Sequence, residues 1–302
     1  MSEITLSPES RPLGKSGLHV SPIAWGMWRF AGNDVKAARD RVEAAFAAGI
    51  TLFDTADIYG PDNGEPFGAA ELLLGRVFAE APSLRQNMVL ASKGGIWIGT
   101  PYNSGSDYMT SAIDASLQRL GVDHIDLWQI HRPDILTHPH ELAATLEAAK
   151  AAGKIGAIGV SNFTVAQTQA LMRYLDTPLA SIQPELSALA LGPIEDGSLD
   201  MAMADDLAVL AWSPLGQGRI AAPVTERELA VAEALQMVAS DFGVSRAAAA
   251  YSWIMAHPAR PIPIVGSQQP TRIAEAADAF KVSWTRQSWY QVLIAARGIP
   301  LP

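Results

Sequence analysis

The sequence predicts an α/β protein: a (β/α)8 TIM barrel with an N-terminal β-hairpin cap and an added C-terminal helix. Three observations predict it. Short apolar runs alternate with amphipathic helical stretches along all 302 residues, the pattern of parallel strands joined by helical crossovers. The runs are apolar on both alternate positions, as expected of a sheet buried on both faces. Eight such units fit in about 275 residues, which suits a closed barrel better than its competitor, an open doubly wound sheet. No biased linker divides the chain, so one domain spanning residues 1–302 is expected.

The elements follow in order. Arg11–Val20 reads as a hairpin turning at Lys15-Ser16-Gly17, placed to cap one end of the barrel. The candidate strands are Ser21–Met27, Thr51–Asp54, Met88–Lys93, Ile125–His131, Ile155–Ser161, Ala180–Gln183, Leu207–Trp212 and Ile262–Gly266. The helical stretch Asp34–Ala48 carries Val35, Ala38, Val42, Ala45 and Phe46 at helical spacing. Similar spacing covers Ala69–Ala79, Asp107–Leu120, His140–Ala152, Val165–Tyr174, Arg246–Ala256 and Thr271–Phe280. Several helices end at a glycine (Gly49, Gly121, Gly153), which accepts the left-handed backbone of a helix C-terminus. Ser283–Arg297 reads as the added C-terminal helix, with Trp284 and Trp289 available for packing.

Composition removes several function classes. Hydrophobic residues are 49% and charged residues 18%, which excludes a disordered chain. Lys and Arg number 22 against 31 Asp and Glu, so a general nucleic-acid binder is excluded, because phosphate contacts need clustered cations. With no cysteine in the chain, disulfides, thiolate catalysis and Cys-ligated metals are excluded. Residues 1–11 lack a signal peptide's basic and apolar regions, and no apolar run reaches the ~18 residues of a membrane span. A soluble cytoplasmic protein is the expectation.

Six of the eight candidate strands end in or lead into a chemically useful residue: Asp54, Lys93, His131, Ser161-Asn162, Gln183 and Trp212-Ser213. In a parallel barrel these ends share one face, where such barrels place their sites. A buried Lys93 calls for a carboxylate, and Asp54 on a neighbouring strand supplies one. Tyr59 follows five residues later. A nearby ammonium would pull its phenol below the usual ~10. His131 can orient a substrate oxygen. The set makes a proton donor for an oxygen that gains charge. No residue carries hydride chemistry, so a cofactor is required, yet G-x-G-x-x-G and P-loop patterns are absent. Ser161, Asn162 and Gln183 offer partners for a carboxamide, and Trp212 a stacking face. Ser267 and Arg272, at the start of a helix, suit a phosphate. His138 and His140 lie beyond the strand that ends in His131, without a carboxylate–His motif, so no metal site is expected.

At these residues the chain resembles the aldo-keto reductases, over essentially its whole length. The matches are Phe53–Gly60 (FDTADIYG), Ser92-Lys93, Leu117–Pro133 (LQRLGVDHIDLWQIHRP), Gly156–Phe163 (GAIGVSNF), Trp212–Gly216 (WSPLG) and Ile264–Glu275 (IVGSQQPTRIAE). The tail Ser283–Pro302 is similar to one bacterial oxidoreductase branch. The resemblance implies a (β/α)8 barrel that reduces carbonyls with a nicotinamide dinucleotide, usually NADPH. It implies Tyr59 as general acid, tuned by Lys93 and Asp54, with His131 orienting the carbonyl. It further implies cofactor contacts from Met27, Trp28, Asp54, Ser161, Asn162, Gln183, Trp212, Ser213, Leu215, Gly216, Gly266, Ser267, Arg272 and Glu275. Trp28, Tyr59, Trp97 and His131 would line the substrate pocket.

Three positions depart from the family pattern. Gly266 stands where a basic residue is frequent, Ala276 where Asn is frequent, and Trp212 where Tyr is frequent. The grip on a 2′-phosphate then rests mainly on Arg272.

The expected activity is therefore reversible, NADPH-dependent reduction of an aldehyde or ketone, with a small-molecule carbonyl as partner. Three alternatives are an NADH-preferring alcohol or sugar dehydrogenase of the same fold, a non-catalytic cofactor-binding regulatory subunit, and a hydrolase or lyase using Lys93 as a Schiff base. Steroids, sugars, short aldehydes and quinone-like compounds stay open as substrates, the tryptophans pointing to an apolar or planar carbonyl.

Overall fold

The computed structural model describes residues 3–301. A two-stranded antiparallel hairpin comes first, β1 (Arg11–Pro12) and β2 (His19–Val20). Eight parallel strands then close a barrel: β3 (Ala24–Gly26), β4 (Leu52–Asp54), β5 (Val89–Gly94), β6 (Ile125–Ile130), β7 (Ile155–Ser161), β8 (Ser181–Gln183), β9 (Ala208–Ala211) and β10 (Ile262–Val265). They pair in chain order, and β10 closes the ring between β9 and β3. Every predicted strand is present; β7 has the predicted bounds, β5 runs one residue further, to Gly94, and the ends that differ otherwise are shorter by one to three residues.

The helices are α1 (Val35–Ala47), α2 (Ala69–Glu80), α3 (Ser83–Gln86), α4 (Ser106–Leu120), α5 (Pro139–Ala151), α6 (Val165–Met172), α7 (Gly192–Glu195), α8 (Ser198–Asp205), α9 (Glu226–Phe242), α10 (Arg246–Met255), α11 (Pro270–Glu275) and α12 (Arg286–Arg297). Four of them, α3, α7, α8 and α9, fall where no helix was predicted. The predicted Thr271–Phe280 helix divides into α11 and a 3-10 segment, Ala276–Lys281. The added C-terminal helix begins at Arg286, because Trp284 is instead extended and bridges Ile4. No helix of the described residues is long and apolar enough to cross a membrane.

Alternation along the strands builds two cores. Outward residues such as Trp25, Phe53, Leu90, Trp128 and Ile158 pack beneath the helices. Inward residues Ala24, Leu52, Ala91, Leu127, Ala157, Leu210 and Ile262 fill the barrel with Leu13 and Val20 from the hairpin. The hairpin thus plugs the end where the strands begin. Gly14 permits this: its φ is +53°, and a Cβ there would collide with the Ala180 carbonyl oxygen.

Candidate active site

Two residues beyond the apolar layer, the inward positions change character. Asp54 follows Leu52, Lys93 follows Ala91, Gln129 follows Leu127 and Gln183 follows Ser181. Side chains two apart on a strand share a face, so the interior passes from a mostly apolar layer to a charged and amide-bearing one within one repeat. Lys93 and Gln129 are paired in register.

Lys93 is the centre of this layer, with no exposed surface. Its Nζ donates to Asp54 Oδ2 at 2.7 Å, to the Thr55 carbonyl oxygen at 2.9 Å and to Tyr59 Oη at 2.9 Å. All three ammonium protons are thereby used, which is what makes a buried lysine tolerable. Asp54 Oδ1 accepts from Gln129 Nε2 at 3.1 Å and Gln183 Nε2 at 2.9 Å. The carboxylate is held from both oxygens. The His131 ring stands edge-on to Tyr59, with centroids 5.8 Å apart. Its backbone N–H donates to Gly94, and its carbonyl accepts from Asn162.

Burial alone would lower the Lys93 pKa, but Asp54 and Tyr59 outweigh it and hold the ammonium above its usual value. Burial, then the charges of Lys93 and Arg132, push His131 well below the usual imidazole range. At neutral pH its ring is neutral. The sequence expectation for Tyr59 needs correction. Lys93 does pull the phenol down, but burial pushes it up by more, so it lies above the usual value. Tyr59 is therefore a protonated donor at neutral pH.

The other predicted residues are placed as follows. Asn162, with φ of +61°, is tied into the rim: its Nδ2 donates to His131 O and Ser161 Oγ, and its Oδ1 accepts from Trp212 Nε1 at 3.0 Å. Trp212 is thus oriented through its ring nitrogen. Ser161 Oγ donates to the Gln183 carbonyl oxygen. Ser213 has φ of +54°, and its Oγ accepts from the Gln217 N–H; Gly216, also at positive φ, packs on Leu189. Leu215 is half-buried. Gly266 is exposed, with open space around it, and Ser267 leads to the exposed Arg272 and Glu275. Met27 is fully buried, and only its backbone N–H reaches the rim, donating to the Asp54 carbonyl oxygen. Trp28 is exposed, and its Nε1 donates to Asp62. Trp97 stacks on Tyr108 at 5.1 Å with the rings nearly parallel.

Sequence reasoning missed three groups. Gln129 supports Asp54; the period-two pattern from Leu127 would have found it. Asp57 is buried with no side-chain donor for either carboxylate oxygen, beside a network in which Glu71 accepts from Ser92 at 2.5 Å and pairs with Arg119 at 2.7 Å. Arg132, next to His131, places its guanidinium over the Trp212 ring, 5.8 Å from the centroid.

The model of the aldo/keto reductase family matches residues 22–295. A protein of Novosphingobium aromaticivorans named 6-dehydroglucose reductase is 57% identical over 100% of both chains. One of the same name from Agrobacterium fabrum is 34% identical over 93% of this chain and 96% of its own. Among solved structures, a glycerol dehydrogenase from Gluconobacter oxydans superposes with a TM-score of 0.84 at 28% identity, covering 98% of each chain.

Proposed function

The chain belongs to the aldo/keto reductase family, and from that premise we propose that it reduces the aldehyde of a sugar, 6-dehydroglucose, to the alcohol with NADPH. Membership makes it an NAD(P)H-dependent oxidoreductase. The choice of NADPH, the sugar and the residue roles are our reading. The observation that carries the chemistry is the Lys93 ammonium bonded to both Asp54 and Tyr59. The sugar is supported by the shared name of two relatives, each similar over nearly the whole chain. It displaces the apolar carbonyl suggested by the tryptophans: Trp28 is bonded to a carboxylate and Trp212 lies under a guanidinium, so the rim is polar.

The residues present fit a nicotinamide dinucleotide. Trp212 offers an oriented indole face, Gln268 has a buried Oε1 with no partner, and Gly266 leaves open space beside Ser267. Trp212, Asn162 and Gln183 would hold the nicotinamide end, Ser213, Leu215 and Gly216 the pyrophosphate, and Ser267, Arg272 and Glu275 the adenosine end. Trp28 would close over it, beside the Met27 backbone. NADPH supplies the hydride when bound.

The chain's own residues then move one proton. As the substrate oxygen gains negative charge, Tyr59 Oη donates its proton to it. Lys93 stabilises the phenolate left behind, because its ammonium is already within hydrogen-bond distance. Asp54 keeps that ammonium charged and aimed, and the two glutamine amides keep Asp54 in place. Neutral His131 orients the carbonyl without competing as an acid.

Tyr59→Phe removes the proton and leaves the ring. Turnover is expected to fall by about 10²-fold or more, while NADPH quenching of tryptophan fluorescence persists. Near-normal turnover in that variant would refute the role given to Tyr59.

A further inference from the structure

We propose that Arg132 binds the hydroxyl-bearing tail of the substrate, selecting a neutral polyhydroxylated aldehyde over one with a bare hydrocarbon or anionic tail. This deepens the reductase reading and rests on it.

Position comes first. Arg132 immediately follows His131, whose peptide is pinned on both sides: its N–H donates to Gly94 O at 2.8 Å, and its carbonyl accepts from Asn162 Nδ2 at 3.1 Å. The guanidinium then lies over Trp212, within cation–π range, and its charge is felt at the His131 imidazole. It therefore borders both the group that faces the carbonyl and the indole that Asn162 orients.

Next comes its lack of a partner. In a chain with 31 carboxylates against 22 Lys and Arg, an arginine at a rim would ordinarily find an acid. Among the described residues Arg132 has neither an ion pair nor a hydrogen bond. The acids next to Arg132 in sequence and on the Trp212 and Trp28 segments are engaged elsewhere. Asp134, two residues on, accepts from Ser104 N, Leu136 N and Thr137 Oγ1. Glu185, bridged to Trp212, accepts from Gln217. Asp62 accepts from Trp28. A half-buried guanidinium held against an indole presents five donors in a planar fork with nothing in the protein to receive them. That fork matches two oxygens on adjacent atoms.

The sign of the rim chooses between a diol and an acid. Asp62 and Glu65 stand on the Trp28 side and Glu185 on the Trp212 side, in a chain of net charge −9. A carboxylate or phosphate tail would face these acids as well as Arg132. Hydroxyls accept from the guanidinium and donate to carboxylates, so a neutral polyol satisfies both signs.

The test compares three aldehydes with NADPH: 6-dehydroglucose, butanal, which has no hydroxyls, and glyceraldehyde 3-phosphate, which has an anionic tail. In Arg132→Leu, kcat/KM for 6-dehydroglucose is expected to fall by about 10- to 100-fold, and its ratio to that for butanal to fall by nearly the same factor. Arg132→Lys keeps the charge without the fork and is expected to recover only part of the loss. Glucose, titrated as an unreactive ligand into the NADPH complex, is expected to lose affinity in parallel. Equal losses on 6-dehydroglucose and butanal would overturn the proposal, since Arg132 would then act through His131 or Trp212. A loss concentrated on glyceraldehyde 3-phosphate would overturn it too, as the mark of an anion site. Wild-type protein that reduces no aldehyde would sink the reductase reading instead. Glucose binding and its loss in Arg132→Leu would still report on Arg132 separately.

Discussion

Asp57 sits two residues before Tyr59, buried, with no side-chain donor for either oxygen. Burial, and then the neighbouring Glu71 carboxylate, push its pKa well above the ordinary carboxylate value, against the pull of Arg119, the Ile58 backbone N–H and Lys93. The folded protein therefore holds this proton to higher pH than the unfolded chain does. Stability is fullest below the ordinary carboxylate value and falls as pH rises through the raised folded value. Asparagine does not titrate, so Asp57→Asn is expected to raise Tm by about 2 °C or more at pH 8, and by less at pH 5. A gain that shrinks with rising pH in thermal melts would contradict this. Asp54, Lys93 and His131 were legible in the sequence because each ends an apolar run. Asp57, Gln129 and Arg132 were not, because their importance lies in what they do or do not bond. Burial without a side-chain donor, support of another carboxylate and absence of a counter-ion are properties of neighbours, and a linear reading does not list neighbours.

The elements were legible wherever period decides. Strands read as apolar runs because both of their faces are covered, and the hairpin read from its turn. The exception of most consequence is α9, 17 residues long and packed against α10 and α12. Its signal was present: Thr225 and Glu228 form a reciprocal capping box, Gly243 ends the helix in a left-handed conformation, and Val231, Ala232, Leu235, Val238 and Ala239 bury one stripe. The long β9–α10 connection hid it, since one helix, α10, already satisfied the unit. Thr225→Ala removes the cap and is expected to cost about 1 kcal/mol, measured by urea denaturation. No change in the midpoint would mean that the helix start is held by packing alone. The division of α11 from the following 3-10 segment was beyond period analysis, since Ile273, Ala276 and Ala279 fit either helix.

At the scale of the whole molecule, the net charge of −9 opposes an anionic dinucleotide on approach, whatever Arg272 contributes at contact. Salt screens the long-range field first. The association rate of NADPH is therefore expected to rise between about 10 and about 150 mM salt, followed by stopped-flow quenching of tryptophan fluorescence. A falling rate would show that local cations govern the approach. The hairpin plug bears on the same traffic. With Leu13 and Val20 sealing one end, the barrel is a vessel with a single doorway. On the proposed reading, whatever meets Tyr59 leaves the way it came, past Arg132, Trp212 and Trp28. Arrivals and departures then form a queue: the molecule lodged deepest is the last one free to go, and an occupant of the doorway halts the line in both directions.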